Sequence, residues 1–373
     1  MKIPLSSPDI TEAEIAAVTA VLRTPRLSLG PQMEQFEHAF AEYTGTPHAV
    51  AVSSGTAGLH LAVRALDIGE GDEVIVPSFS FIAVANAVRY ERATPVFADI
   101  DVESLNLSPT TVEQAITPRT RAIIAVHTFG RPAEMTGILD IARRHHLAVI
   151  EDACEAIGAE HDNRRTGSFG DIAVFAFYPN KQITTGEGGM VVTSKPGLAT
   201  RIRAMRNQGR HDGSEWLQHA ELGYNYRLSE INCALGLAQL NRIDEILARR
   251  EQVSRLYTKH LSSIDGLILP ALEAPRSRIS WFVYVVRLDA SFAPDARDRI
   301  LMRLTAAGIG CGRYFAPIHM QPCYSAWKDA NLPVTEAAAC RTLALPFFNQ
   351  MTENEVTYVS QELRAALLSA RQS

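Results

Sequence analysis

Between residues 48 and 193 the chain repeats one rhythm, and that rhythm restricts the fold more than any other feature. Short runs of β-branched and apolar residues fall at 49–52, 74–76, 96–98, 122–126, 147–150, 172–177 and 190–193. Between them lie segments such as 56–66, 81–90 and 135–145, which have the length and period of helices. Alternation of this kind predicts a mainly parallel, seven-stranded α/β sheet with helices on both faces. Such sheets bind ligands beyond the carboxyl ends of their strands.

The flanks fit around this centre. Thr11, followed three residues later by Glu14 and then by Ile15, Val18, Val21 and Leu22, reads as a capping-box start of an amphipathic helix. A loop at 27–30 precedes a second helix over 31–43. Ser229 reads as the N-cap of one long helical pattern running through Ile243, Ile246, Leu247, Val253, Leu256 and Tyr257 toward Leu261. After a loop at 265–278, a strand over 281–288, a helix over 295–307 and a strand-like 312–315 predict a smaller C-terminal α/β domain. A chain of 373 residues suits this division, a large domain over 1–250 and a small one over 251–373.

Composition mainly excludes. With 46% apolar and 21% charged residues the chain is ordinarily globular. A net charge of -5 gives no electrostatic reason to expect nucleic acid or an anionic membrane as partner. The pairs Arg164-Arg165 and Arg249-Arg250 read as solvated faces. Arg206, Arg210 and His211 could meet a diphosphate, but read as solvated loop charge. Five scattered cysteines without CxxC spacing argue against disulfides or zinc, and the histidines show no HExxH arrangement. No apolar signal core or bilayer-length run is present, so the expected location is cytoplasmic.

The chemistry centres on Phe175 to Met190, FAFYPNKQITTGEGGM, where Lys181 follows an apolar run and precedes Gly186, Gly188 and Gly189. Lys181 reads either as a surface charge beside a turn or as an amine held to form a Schiff base with a carbonyl compound. Ser53, Ser54, Gly55 and Thr56 follow the first run and open a helix, either as an ordinary N-cap or as a phosphate site built on exposed backbone N–H groups. Asp152 ends the fifth run, either capping the next helix or pairing with a protonated pyridine nitrogen. Phe81 begins a helix at the same edge, as core packing or as a ring stacked on a planar cofactor. Glu151 is expected on the opposite side of its strand, and Cys154 in packing. A Schiff-base lysine, a strand-end aspartate, a stacking ring and a phosphate cup are together the requirements of pyridoxal 5′-phosphate.

With those pieces in place, SSGTAGLHLA, PSFSFIA, IEDACEAIGA, FYPNKQITTGEGGMVVT and GYNYRLSEINCALGLAQL resemble the DegT/DnrJ/EryC1/StrS aminotransferases over nearly the whole chain. The resemblance implies a fold-type I enzyme, a homodimer with shared active sites, and transfer of an amino group from L-glutamate to a nucleotide-activated keto sugar. Pyridoxamine 5′-phosphate would be the cofactor's other form, and a 4-keto-6-deoxy sugar the expected acceptor. It further implies Lys181 as the Schiff-base lysine and proton carrier, Asp152 as the pyridinium partner and Phe81 as the stacking ring. Gly55 and Thr56 would hold the phosphate, with Asn225 reaching it from the neighbouring subunit. Glu155 would lie on the side of the ring's hydroxyl, and Tyr314 and His319 would line the sugar entrance.

Two positions depart from the resembled pattern. Ala176 stands where many relatives place a serine that contacts the phosphate, and Glu155 is an acid where histidine or glutamine is common. Rival readings are an aminotransferase of cyclitol or other small ketones, a sugar dehydratase of the same lineage, and a non-catalytic sugar-nucleotide sensor. A dehydratase would typically replace Lys181 with histidine, and a sensor has no need of the lysine, the aspartate and the phosphate loop together.

Overall fold

The computed structural model describes every residue except Asp212, Ser214, Trp216, Leu217, Pro275, Gln372 and Ser373. The seven apolar runs are all strands: β1 His48–Val52, β2 Glu73–Pro77, β3 Thr94–Ala98, β4 Thr120–Val126, β5 Ala148–Asp152, β6 Ile172–Ala176 and β7 Gly189–Thr193. They form one sheet in the order β1-β7-β6-β5-β4-β2-β3. Strands β2 to β6 pair in parallel, while β7 runs antiparallel to both β1 and β6. No helix interrupts the connection over 177–188, so the chain turns straight back into β7 rather than crossing over. The carboxyl ends of the other six strands therefore share one edge, and the amino end of β7 joins them.

Several helices begin where local chemistry dictates. Thr11 and Glu14 form the expected capping box of the helix Glu12–Leu22. The Ser54 side chain accepts from the Ala57 N–H and starts the helix Gly55–Ala65. The helix Pro31–Thr44 has glycine at its N-cap, and its cap comes from elsewhere. Glu230, buried 200 residues away, accepts from the N–H groups of Gly30, Gln32 and Met33 at 3.0, 2.9 and 3.0 Å. A carboxylate there satisfies orphan donors and meets the positive end of the helix dipole.

The long helix expected from Ser229 is two helices, Glu230–Leu240 and Ile243–Leu261. Arg242, at φ -107° and ψ 9°, leaves helical geometry at the break. Its guanidinium there reaches Glu14 at 2.9 Å and Asp9 at 3.5 Å, a tertiary contact that helical periodicity does not show. In the C-terminal part, β8 Leu267–Ile268, β9 Tyr284–Leu288 and β10 Thr342–Leu345 form an antiparallel sheet, and the helix Ala296–Ala306 lies where expected. Residues 312–315 are not a strand. Only Gly312 bridges Ala344 before the chain turns away toward the large sheet. The core over this small sheet runs from Val253 to Ala370 and takes in Ile3, which bridges Ile309. Four helices lie outside the sequence-based expectation: Pro109–Ala115, Pro196–Arg206, Pro333–Arg341 and Glu353–Arg371. The first three carry a proline in the first turn, a start signal that their weak apolar periodicity obscures.

Two arginines also correct the sequence reading. Arg250 is buried, not solvated, and donates to the carbonyls of Trp281 and Phe282 at 2.5 and 2.7 Å. Arg206 is likewise buried, ending the helix Pro196–Arg206 and bonding Glu37 and the Ala51 carbonyl.

Candidate active site

The carboxyl edge of the sheet encloses a cavity of about 520 Å³. Ser54, Gly55 and Thr56 reach it from the end of β1, Ser80 and Phe81 from beyond β2, and Asp152 and Glu155 from the end of β5. Ala176 ends β6 and Tyr178 and Lys181 follow it, while Glu187 and Gly188 precede β7. Distance along the chain is thus cancelled by the parallel sheet, which delivers each strand end to one place.

Lys181 lies inside this cavity with its side chain only 13% exposed. Its Nζ is 3.3 Å from Glu155 Oε1 and 4.0 Å from the centre of the Phe282 ring. Phe282 comes from the C-terminal part of the chain, and Arg250 holds its carbonyl. The amine therefore sits between a carboxylate and an aromatic face. The other oxygen of Glu155 accepts from the Phe129 N–H at 2.9 Å. Burial pushes the Glu155 carboxyl above its ordinary range, and the Lys181 charge pulls partly against that. The neighbouring Gln182 is buried and donates its amide to the carbonyls of Glu155 and Ser280 at 2.6 and 3.1 Å, which fixes the backbone beside the lysine.

Asp152 ends β5, is 7% exposed, and accepts from the Cys154 N–H at 3.0 Å. Glu151 points to the other face, where it accepts from Gly167, Phe169 and Gly170 N–H groups and pairs with His127. The His127 Nδ1 accepts the Ala133 N–H, so its proton sits on Nε2 and is donated to Glu151. Cys154 is packing: burial raises its thiol well above the usual range, and its Sγ lies 3.6 Å from the Val174 carbonyl.

At the helix Gly55–Ala65, Ser54 occupies the Ala57 N–H, which leaves the N–H groups of Gly55 and Thr56 at the cavity without an intrahelical acceptor. Gly55 has a steric reason as well, since a Cβ there would lie 2.7 Å from the Ala176 Cβ and 3.0 Å from the Cys154 sulfur. Phe81 stands two residues before the helix Ala83–Tyr90, not at its start, and its ring is 61% exposed at the cavity. The core-packing reading of Phe81 does not hold, because its ring is left open beside a pocket. Ser54 is the ordinary N-cap expected of it, and the helix it caps starts at the cavity.

One expected site residue is placed elsewhere. Tyr314 lines the cavity, but His319 does not: it is fully buried and locked to Ser78, whose hydroxyl lies 2.7 Å from Nδ1 and accepts the His319 backbone N–H at 3.1 Å. This contact docks the stretch carrying Tyr314 and Phe315 onto the chain beyond β2. Asn225 is exposed and does not line the cavity of its own chain; its segment bridges Asn207. Sequence reasoning missed Phe282, Gln182, Tyr178 and Glu187. The last three stand within or beside the lysine stretch, whereas nothing local marks Phe282.

The exposed Phe81 ring, the free helix N–H groups, a strand-end carboxylate and a sequestered amine fit a flat, phosphorylated pyridine carbonyl. Fold and site together define an α/β enzyme dependent on pyridoxal 5′-phosphate. The chain belongs to the DegT/DnrJ/EryC1/StrS aminotransferase family, whose sequence profile matches residues 8–364. It is 42% identical over 341 residues to a GDP-perosamine synthase of Caulobacter vibrioides, covering 91% of each chain. It is 38% identical to the spore coat polysaccharide biosynthesis protein SpsC of Bacillus subtilis, covering 97% of this chain and 96% of that one. Among solved structures it resembles the aminotransferase TlmJ of Streptoalloteichus hindustanus, at 33% identity and a TM-score of 0.93, covering 98% of this chain and 99% of that one. Among the described residues no group of histidine, cysteine, aspartate and glutamate could hold a metal, and no helix is long and apolar enough to cross a membrane.

Proposed function

We propose that this aminotransferase moves the amino group of L-glutamate to a nucleotide-activated keto sugar, with a 4-keto-6-deoxy sugar as first choice, and that it works as a homodimer with shared sites. The observation that carries the chemistry is the Lys181 amine, sequestered 3.3 Å from Glu155 in a cavity that also holds Asp152 and Phe81. The relatives that act in GDP-perosamine and spore coat polysaccharide synthesis support a sugar acceptor.

Pyridoxal 5′-phosphate, when bound, supplies a carbonyl that bonds amines reversibly and a ring that accepts the electron pair released at carbon. Every other part of the reaction falls to the chain. Lys181 would hold the group and, once its amine is free, would take the proton from the donor's α-carbon. In the second half the same amine would return a proton to the sugar carbon that receives nitrogen. Asp152 would keep the ring nitrogen protonated, Phe81 would cover one ring face, and Gly55 and Thr56 would hold the phosphate with Asn225 of the partner subunit. Glu155 lies where it can hold the lysine's proton between turnovers. Tyr314 would meet the sugar.

The test is a screen of keto sugar nucleotides with glutamate, with the configuration of the amino sugar formed as its readout. A 4-amino product is expected. Turnover of a cyclitol ketone but of no sugar nucleotide would overturn the substrate assignment. Lys181→Ala is expected to lose both the visible absorption band and transamination, and an unchanged band and rate would remove the lysine from its role.

A further inference from the structure

Away from the cavity, a buried polar cluster joins the helix Gly55–Ala65, the end of the helix Ala83–Tyr90 and the segment that carries Asn225. His60 is 6% exposed, and the Glu91 side chain is 8% exposed. His60 Nε2 donates to Glu91 Oε1 at 2.7 Å, and its Nδ1 meets the Tyr226 hydroxyl at 3.1 Å. The same Glu91 oxygen accepts from the Tyr224 hydroxyl at 3.3 Å, and its other oxygen accepts from Arg64 at 2.9 Å. One carboxylate thus gathers three donors. The Tyr226 hydroxyl meets the remaining histidine nitrogen, so both ring nitrogens of His60 are engaged within the cluster.

Tyr224 and Tyr226 stack with centres 5.0 Å apart and planes at 10°. Their backbones are held as well: Tyr224 N–H to the Met205 carbonyl at 2.6 Å, Tyr226 N–H to the Arg206 carbonyl at 2.9 Å, and the Tyr226 carbonyl to the Ser53 N–H at 2.8 Å. In extended backbone, alternate side chains leave on opposite faces. With both tyrosines turned inward onto His60 and Glu91, Asn225 is turned outward, and it is exposed in the single chain.

We propose that His60 and Glu91 are positioning residues for the neighbouring subunit's cofactor site: they lock Tyr224 and Tyr226 inward so that Asn225 is presented to the partner. This rests on the reading that Asn225 completes the site of a second copy. The cluster also connects two sites, because the helix that carries His60 begins at Gly55 and Thr56, and the helix that ends at Glu91 begins beside Phe81.

The test is complementation in the holoenzyme, read as cofactor affinity from the visible band rather than as activity. Glu91→Ala homodimers should bind pyridoxal 5′-phosphate about tenfold more weakly, the effect of loosening one hydrogen bond to a charged group. Tyr226→Phe, which removes one hydroxyl, gives a milder version should Glu91→Ala fail to fold. Mixed dimers of Glu91→Ala with Lys181→Ala leave one lysine-bearing site, and that site receives its Asn225 from the chain with an intact cluster. Affinity there should return to the wild-type value. Persistently weak binding in this mixture, while Asn225→Ala mixed with Lys181→Ala does recover, would overturn the positioning role alone. If the Asn225→Ala mixture also stays weak, the shared-site reading falls and takes the inference with it.

Discussion

Glu14 offers the sharpest quantitative check on how the chain's start is tied to its active-site loop. Its carboxylate accepts from the Thr11 N–H at 2.7 Å and hydroxyl at 2.5 Å, from Arg242 at 2.9 Å and from Gln239 at 2.9 Å. Gln239 in turn accepts from the Thr184 N–H, three residues beyond Lys181, at 3.3 Å. Burial by itself would raise the Glu14 pKa, but the hydrogen bonds from Thr11, Arg242 and Gln239 outweigh it and bring it down from 4.5 to about 2.

A depressed carboxylate pKa contributes stability that is present above the unfolded value and lost as pH falls through the folded one. The shift is worth up to about 3 kcal/mol at pH 7 and roughly half of that or less at pH 3. For a chain of this length the unfolding entropy converts these figures to about 4 °C and about 2 °C in melting temperature. Glu14→Gln should therefore melt lower than the parent at pH 7, and the gap should narrow by half at pH 3. The assay is paired thermal melts of the two proteins across that range, with saturating cofactor. A gap that does not change with pH, or none at pH 7, would show that the carboxylate's charge is not what these bonds recognise.

Single contacts carry the other expectations. Glu230→Ala strips the cap from the helix Pro31–Thr44 and leaves three N–H groups without their acceptor, a loss of roughly 3 to 5 kcal/mol visible in melting; a loss below about 1 kcal/mol would mean water replaces the carboxylate. Ala176→Ser places a hydroxyl beside Gly55 at the cavity and should tighten cofactor binding about fivefold if the phosphate sits at this helix start; unchanged binding would move the phosphate elsewhere. Asp152→Asn should retain cofactor but slow turnover about a hundredfold or more, because the ring nitrogen loses its charge partner. Near-normal turnover would contradict the assigned role.

The seven strands, the Ser54 and Ser229 caps and the capping box at Thr11 were legible because each depends on residues adjacent in sequence. Lys181, Asp152, Gly55, Thr56 and Phe81 were legible for a related reason: each stands at a strand's carboxyl end, and a parallel sheet carries all such ends to one edge. What periodicity cannot express is which way a strand runs or what a side chain meets across the fold. The reversal of β7, the break at Arg242, the burial of Arg250 and the removal of His319 from the cavity were decided by contacts spanning tens to hundreds of residues. Phe282 is the clearest case: nothing in its own segment marks it, and it lies against the Lys181 amine only because Arg250 and the small sheet hold it there. The sequence by itself determined the elements and the chemistry at their ends; tertiary packing decided which distant residues complete the site, because desolvation and hydrogen-bond partners exist only once the chain has closed around them.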